Sequence, residues 1–427
     1  MLITNEKLGN IKKLHGVNCA PYNKRAGDDQ ERMRKFFQYT GAPLSRLHDC
    51  QGSYGGTYFV DVPNIFRNFD ADEYNPESYD FHYTDEYIKG IIEGGANVVY
   101  RLGVTIEWGS KKYTTYPPKD YAKWARICEH IIKHYNEGWN NGFSYGIEYW
   151  EIWNEPENPP MWQGTREQFY ELYRVASTYL KERFPNIKIG GYGSCGFYAV
   201  FREGMNEFYR SFVPYFTDFL AFVKENNCPL DFYSWHIYTD KLSEIERSSE
   251  FVREKLDEYG FVNTESHLNE WNYGAEGKRF EDKHTMVGAS FIAAGFALMQ
   301  SIDIDLAQYY VATASSAYNG ILDIRTGEYT PVAHVFHAFS EVYKAGNNLK
   351  IERECCEPYA VAAESGGRVH ALISNYRLGK SDFTLKALGK NISVSKITDG
   401  GIEPFAEGRD SVILPLDDFA IYYVVAE

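Results

Sequence analysis

The sequence predicts an α/β fold, a closed (β/α)8 barrel followed by a small antiparallel β-sandwich. Three observations predict it. Strand-like apolar runs alternate with stretches of helical spacing eight times between residues 14 and 343. Two of those runs end on polar clusters that hold a glutamate, Glu155 and Glu270. After about Lys344 the helical period disappears, and short strand-like runs separated by Gly, Asn and Asp take over. Eight units of alternating type favour a closed parallel barrel over an open sheet.

Residues 14–18, 44–48 and 97–102 read as the first three strands. Helices are expected over 29–40 and 84–95, the second stopped by Gly94 and Gly95. Residues 121–135 read as an amphipathic helix before the fourth strand, whose apolar residues are Ile147, Tyr149, Ile152 and Trp153. That strand stops at Asn154-Glu155-Pro156, because Pro156 has no amide hydrogen to continue a ladder. Phe169, Leu172, Tyr173, Ala176 and Leu180 carry a helix over 166–183. The remaining strands are expected at 187–190, 232–238, 266–269 and 306–310. Their helices are expected at 216–226, 243–259, 285–301 and 333–343. Beyond them, 360–363, 369–375, 382–387, 392–397 and 411–425 read as strands of a sandwich. The expected organisation is a barrel over 10–344 and an accessory sandwich over 345–427, which residues 1–9 are suited to join. No low-complexity linker separates the two, so firm packing is expected.

Bulk properties narrow the function class. Hydrophobic residues make up 44% of 427, enough for a large core. The net charge of −15 argues against nucleic acid or an anionic membrane as the main partner. Aromatic residues are 16%, with 35 Tyr and 8 Trp, and aromatic faces stack on the apolar C–H faces of sugars. Most of them are expected in the core all the same. The segment from Met1 to Lys7 lacks a signal peptide's apolar core, and no later stretch is long and apolar enough to span a membrane. A cytoplasmic location is therefore expected. The seven cysteines (Cys19, Cys50, Cys128, Cys195, Cys228, Cys355 and Cys356) are scattered and without CxxC spacing, as free thiols in a reducing compartment would be.

No cofactor and no metal is expected. Gly191, Gly193 and Gly196 fit G-x-G-x-x-G after a strand, but no second strand ending in an acidic residue follows at the spacing a dinucleotide site needs. None of the 11 histidines forms HExxH. His15, His48, His236 and His267 sit on or beside strands, where hydrogen bonds to carboxylates or sugar hydroxyls are a better reading than a shared metal.

Glu155 and Glu270 carry the chemistry. Each stands at a strand's C-terminal end beside asparagine and indole, in Trp153-Asn154-Glu155-Pro156 and Asn269-Glu270-Trp271-Asn272. They are 115 residues apart, room for three β-α units of roughly 30 or more residues each. On the fourth and seventh strands of a barrel both would face the C-terminal mouth, where active sites are built. Two such carboxyls are the minimum equipment for cleaving a glycosidic bond, one protonating the leaving oxygen and the other attacking the anomeric carbon or activating water. Glu155, with Trp150 and Trp153 in its strand, is expected to have a raised pKa.

With those strands placed, the chain resembles the clan A glycoside hydrolases, and family 39 in particular, which includes β-xylosidases and α-L-iduronidases. Tyr149 to Pro156 is similar to the family's acid/base strand, and Ile187 to Gly191 to its fifth strand. Asp231 to Tyr238 is similar to the sixth strand, Leu268 to Asn272 to the nucleophile strand, and Ser45-Arg46-Leu47-His48-Asp49 to an Arg-x-His second strand. The resemblance implies a TIM barrel with an appended β-sandwich and hydrolysis with retention. It implies that Glu155 is the acid/base, Glu270 the nucleophile, and Asn154 the partner of the hydroxyl beside the anomeric carbon. Tyr238 would hydrogen-bond Glu270, Arg46 would keep it ionised, and His48 and His236 would line the sugar subsite.

Three departures bear on the sugar. Tyr100 or Arg101 stands where the xylosidases tend to carry Glu. Tyr309-Tyr310 replaces the usual Trp platform, and Tyr192 stands where Gly-Gly-Pro is frequent. The expected function is a retaining exo-glycosidase acting on short oligosaccharides or aryl glycosides, a β-xylosidase first and an arabinosidase or hexosidase second. A catalytically silent carbohydrate-binding barrel and an NAD-dependent oxidoreductase are the readings from other classes. The oligomeric state stays open.

Overall fold

The structure is a computed structural model that describes residues 1–22, 29–50, 59–274, 282–315, 318–354 and 357–427. Its centre is a closed barrel of eight parallel strands: β2 (Lys13–Asn18), β3 (Leu44–Leu47), β4 (Asn97–Leu102), β5 (Tyr149–Ile152), β6 (Lys188–Ser194), β7 (Phe232–Thr239), β8 (Glu265–Tyr273) and β9 (Leu306–Tyr309). Pairing of Val17 with Tyr309 closes the ring. Strand β1 (Leu2–Asn10) lies outside the barrel.

The crossovers are helical: α1 (Asp29–Thr40), α2 (Val62–Ile65), α3 (His82–Glu93), α4 (Tyr121–Glu137), α5 (Arg166–Arg183), α6 (Glu207–Glu225), α7 (Leu242–Glu258), α8 (Met286–Met299) and α9 (Pro331–Ala345). Thr165 opens α5 with a capping box shared with Gln168. Gly95, at φ 96°, ends the turn after α3, a conformation glycine adopts without steric cost. Helix α6 begins nine residues before its expected start. Asn206 caps it and Pro214 sits inside it, the residue that breaks the sequence pattern. A small hairpin of β10 (Leu322–Asp323) and β11 (Glu328–Tyr329) precedes α9.

The remaining strands form one seven-stranded sheet: β1, β12 (Asn347–Glu352), β13 (Tyr359–Ser365), β14 (Arg368–Ser374), β15 (Ser381–Thr398), β16 (Gly401–Leu416) and β17 (Ile421–Ala426). The expected runs at 382–387 and 392–397 are one strand. Its register shifts between Lys386 and Asn391, around Gly389 at φ 77°. The first half of β15 meets β1 at Leu2–Lys386, and the second half pairs with β17, so the sheet rolls onto itself. The expected run at 411–425 is instead the end of β16 and all of β17, parted by a turn with Phe419 at φ 62°.

Alternation in β13, β14 and β17 explains how the sheet joins the barrel. Ala362, Ala371, Ile373, Tyr422 and Val424 face the sheet's own core. Val361, Ala363, Leu372 and Ile421 join the barrel's core cluster instead, against α8 and α9. A sheet buried on both faces reads as continuous apolar runs rather than as alternation. Ser374 Oγ donates to Ser290 O at 2.8 Å across this junction. Among the described residues no helix is long and apolar enough to cross a membrane.

Candidate functional site

Inward-facing side chains fill the barrel in layers. Leu44, Val99, Tyr149, Phe232 and Leu306 form a separate apolar layer. The next inward positions are polar: Arg46 on β3, Glu151 on β5, Ser234 on β7 and Asn269 on β8. Arg46 and Glu151 are wholly buried. Arg46 Nε donates to Glu151 Oε2 at 2.7 Å, and Glu151 Oε1 accepts from Ser234 Oγ at 2.6 Å and from Asn269 Nδ2 at 2.5 Å.

Strand β8 then breaks its alternation. Leu268 pairs with Trp235 but Glu270 with His236, and Leu268 pairs with Ala307 but Trp271 with Tyr309. Both neighbours thus register one extra residue on β8, a bulge at Asn269-Glu270. Asn269 and Glu270 both point inward as a result, while Trp271 faces outward onto Phe291 and Phe296 of α8. Glu270 Oε1 accepts from Arg46 Nη1 at 2.8 Å, and Oε2 accepts from the Tyr238 hydroxyl at 2.8 Å. Arg46 Nη2 donates to Asn154 Oδ1 at 2.6 Å, which fixes that amide. Burial opposes the guanidinium's charge, but Glu151 and Glu270 outweigh it and its pKa rises.

Glu155 lies in the turn after β5 at φ 47°, with Trp153 at φ 70°. The Glu155 amide donates to Tyr192 O and Gly193 O of β6, each at 3.0 Å. Its carboxyl accepts from His236 Nδ1 at 2.8 Å and from Asn158 Nδ2 at 3.1 Å. The same His236 nitrogen is 3.6 Å from Glu270 Oε2. Carboxylate oxygens of Glu155 and Glu270 and a ring nitrogen of His236 lie within 4.8 Å of one another. These three are a group with metal-ligand spacing, though the guanidinium beside Glu270 opposes a cation there.

The expected raised pKa of Glu155 is not found. Burial pushes the carboxyl up, but the hydrogen bond and charge of His236 outweigh it, and the net displacement is downward. Burial lowers His236, but Glu270 and Glu155 raise it further, for a net rise. The indoles do not supply the expected apolar wall. Trp150 faces away from the barrel axis, stacked on Tyr100 at 5.0 Å, and Trp153 packs edge-on against Trp162. His48 Nε2 is 3.7 Å from Glu270 Oε1, and burial holds its imidazole well below the usual range. Beside it Asp49 accepts from the Tyr310 hydroxyl at 3.0 Å, and burial raises its carboxyl to about 7.

The seven expected site residues therefore meet in one cluster. Glu151, Asn269, Asn18 and Asn158 belong to the same network, and the sequence reading omitted them. The signal for Glu151 was a lone acid inside an apolar strand. His15 and His267 lie elsewhere: His15 bonds Gly41 O, and His267 stacks on Phe232 and bonds Glu265. Gly191 and Gly193 serve the site's backbone. A Cβ on Gly191 would stand 2.7 Å from Ile152 O, and one on Gly193 would stand 2.9 Å from Asn154 Oδ1. The next α-helix opens only at Glu207, not at the glycines as a dinucleotide fold requires. Cys19, Cys50, Cys128, Cys195 and Cys228 are free thiols, and Cys355 and Cys356 lie outside the described residues.

The model of glycosyl hydrolases family 39 matches residues 49–270, just over half of the chain. A beta-xylosidase of Geobacillus stearothermophilus is 28% identical over 195 residues, covering 42% of this chain and 35% of that protein. A beta-xylosidase of Caldicellulosiruptor saccharolyticus is 25% identical over 252 residues, covering 56% of this chain and 46% of that one. The chain thus spans less than half the length of these relatives. A solved glucosidase from Croceicoccus marinus shares the fold with a TM-score of 0.82 at 23% identity, covering 100% of this chain and 98% of its own.

Proposed function

The chain belongs to glycosyl hydrolases family 39, and from that premise we propose that it is a retaining, exo-acting O-glycosidase of short oligosaccharides, with terminal β-xylosides the leading substrates. The observation that supports retention is that a carboxylate oxygen of Glu155 and one of Glu270 lie within 4.8 Å of each other. Retaining enzymes hold their two carboxyl groups about 5–5.5 Å apart, whereas inverting ones leave about 6.5–9.5 Å for a water. The same approach speaks against a silent binding barrel. The beta-xylosidase relatives support the choice of sugar.

Glu270, fixed by Arg46 and Tyr238, attacks the anomeric carbon. Glu155 delivers a proton to the departing glycosidic oxygen, and a glycosyl ester on Glu270 results. Glu155 then takes a proton from water, whose oxygen displaces Glu270. Asn154, its oxygen held by Arg46, keeps its NH2 group for the neighbouring sugar hydroxyl. His48 lines the sugar subsite, and His236 joins it through the carboxylates. In the free site Glu155 and His236 share one proton, which rests on the imidazole and passes along their 2.8 Å Nδ1···O hydrogen bond to the carboxyl as the substrate oxygen arrives.

One observation favours a different sugar. Arg101 faces into the barrel, its Nη2 on Asp61 at 2.6 Å and its Nε and Nη1 buried with no hydrogen-bond partner among the described residues. A cation there suits a sugar with more polar substituents than xylose, such as a hexose. A panel of aryl glycosides, with NMR of the first-formed anomer, tests both points. Inverted product sinks the mechanism, and release of hexose faster than xylose moves the substrate to the second reading.

A further inference from the structure

Strand β4 ends at Leu102, and the loop that follows stands at the barrel's C-terminal face. It is folded around one carboxylate. Glu107 accepts from the backbone amides of Tyr113, Thr114 and Thr115, at 3.0 to 3.2 Å, and from the Thr115 hydroxyl at 2.9 Å. The loop is also stitched to the turn that carries Glu155. The Glu107 amide donates to Pro160 O at 3.1 Å, and the Gln163 amide to Thr115 O at 2.8 Å. Yet this fixed loop holds three large aromatic side chains in solvent: Trp108 is 75% exposed, Tyr113 70% and Tyr116 54%. Lone exposed aromatics are ordinary, but three on one preordered loop at a cleft mark a contact surface.

We infer that Trp108, Tyr113 and Tyr116 form the leaving-group subsite, on which a neutral sugar ring beyond the scissile bond stacks. The inference rests on Glu155 being the proton donor. A donor must lie beside the departing oxygen, so the rest of the leaving group lies on the donor's side of the cleft. The loop bonded to the Glu155 turn is on that side. Aromatic faces take up the C–H face of a pyranose without a charge, and a loop fixed by Glu107 loses little entropy on binding.

The test compares wild type with Trp108→Ala on a trisaccharide and on the glycosyl fluoride of the same sugar, whose leaving group is too small to reach the loop, the sugar being the one released fastest in the panel. The trisaccharide's kcat/KM is expected to fall about tenfold, mostly through KM, while the glycosyl fluoride changes by less than about twofold. Trp108→Phe should restore most of the trisaccharide affinity. Equal responses to the two substrates, or none to either, overturn the assignment. If wild type cleaves no glycoside, the reading of Glu155 and Glu270 fails separately. Calorimetric titration with xylotriose then decides, weakened binding by Trp108→Ala supporting the subsite and unchanged binding overturning it. A dimer lost in Trp108→Ala, with kinetics unchanged, also overturns it in favour of a protein contact.

Discussion

At Glu155 burial and hydrogen bonding pull in opposite directions, and the hydrogen bond from His236 wins. Because His236 is displaced upward, the shared proton is kept above the ordinary imidazole value of 6.5 and lost only beyond it. The basic limb of kcat/KM thus belongs to the Glu155–His236 pair. Replacing His236 by Asn should move that limb to lower pH, since a lone carboxyl releases its proton earlier. A pH profile with the limb unmoved places the proton elsewhere. The two carboxylates should also separate by substrate. Glu270→Ala removes the attacking group and should abolish turnover of every glycoside, by about 10⁴-fold or more. Glu155→Ala should keep much of its glycosylation rate on dinitrophenyl glycosides, whose leaving group needs no proton. If Glu270→Ala were the faster of the two on that substrate, the roles would be exchanged.

Strands β6 and β8 supply the site by departing from regular geometry. The extra residue of β8 turns both Asn269 and Glu270 inward, one to hold Glu151 and the other to face Glu155's side of the cleft. Strand β6, two places away around the barrel, brings Gly193 at φ 64° against Asn154, Arg46 and His236. A methyl group at Gly193 would stand 2.9 Å from Asn154 Oδ1 and 3.2 Å from both Arg46 Nη2 and His236 Nε2. It would also meet the left-handed penalty of about 1–2 kcal/mol for a residue with a Cβ. Gly193→Ala is therefore expected to cost at least tenfold in kcat/KM while the protein still folds, with a melting temperature only a few degrees lower. Wild-type kinetics in that variant would mean that the cradle tolerates displacement.

The whole molecule is tied together by a sheet that the chain enters at its first strand and leaves at its last. Strand β1 pairs along β12, from Leu2–Glu352 to Asn10–Asn347, and touches β15 at Lys386. Ile3 is buried with Leu349, Leu385 and Ile373 in the core of that sheet. Ile3→Ala should cost about 2–5 kcal/mol, read as a lower midpoint in denaturant with little change in kcat below the transition. A midpoint within error of wild type would show that β1 is dispensable. The sheet also braces the mouth: the Tyr376 hydroxyl donates to Asp240 O at 2.6 Å, and Arg377 pairs with the Asp240 carboxylate at 2.8 Å, just beyond β7.

The amino-acid sequence by itself determined the order of the barrel's strands and helices, because apolar spacing and helix stops such as Gly94-Gly95 are local. It also set Glu155 and Glu270 at the ends of two strands that face one mouth, while Arg46, His48, His236 and Tyr238 came to the site only through the family resemblance. Only the tertiary structure decided what those groups do to one another. Arg46 meets Glu151 across 105 residues and Asn269 meets Glu151 across 118, separations that no local pattern encodes. The polar pair between Leu268 and Trp271 was visible, but its meaning as a bulge required the registers of β7 and β9. Trp150 looked like an apolar wall for Glu155. Alternation along β5 sends it to the far face, so an imidazole from β7 sets the proton affinity of Glu155 instead.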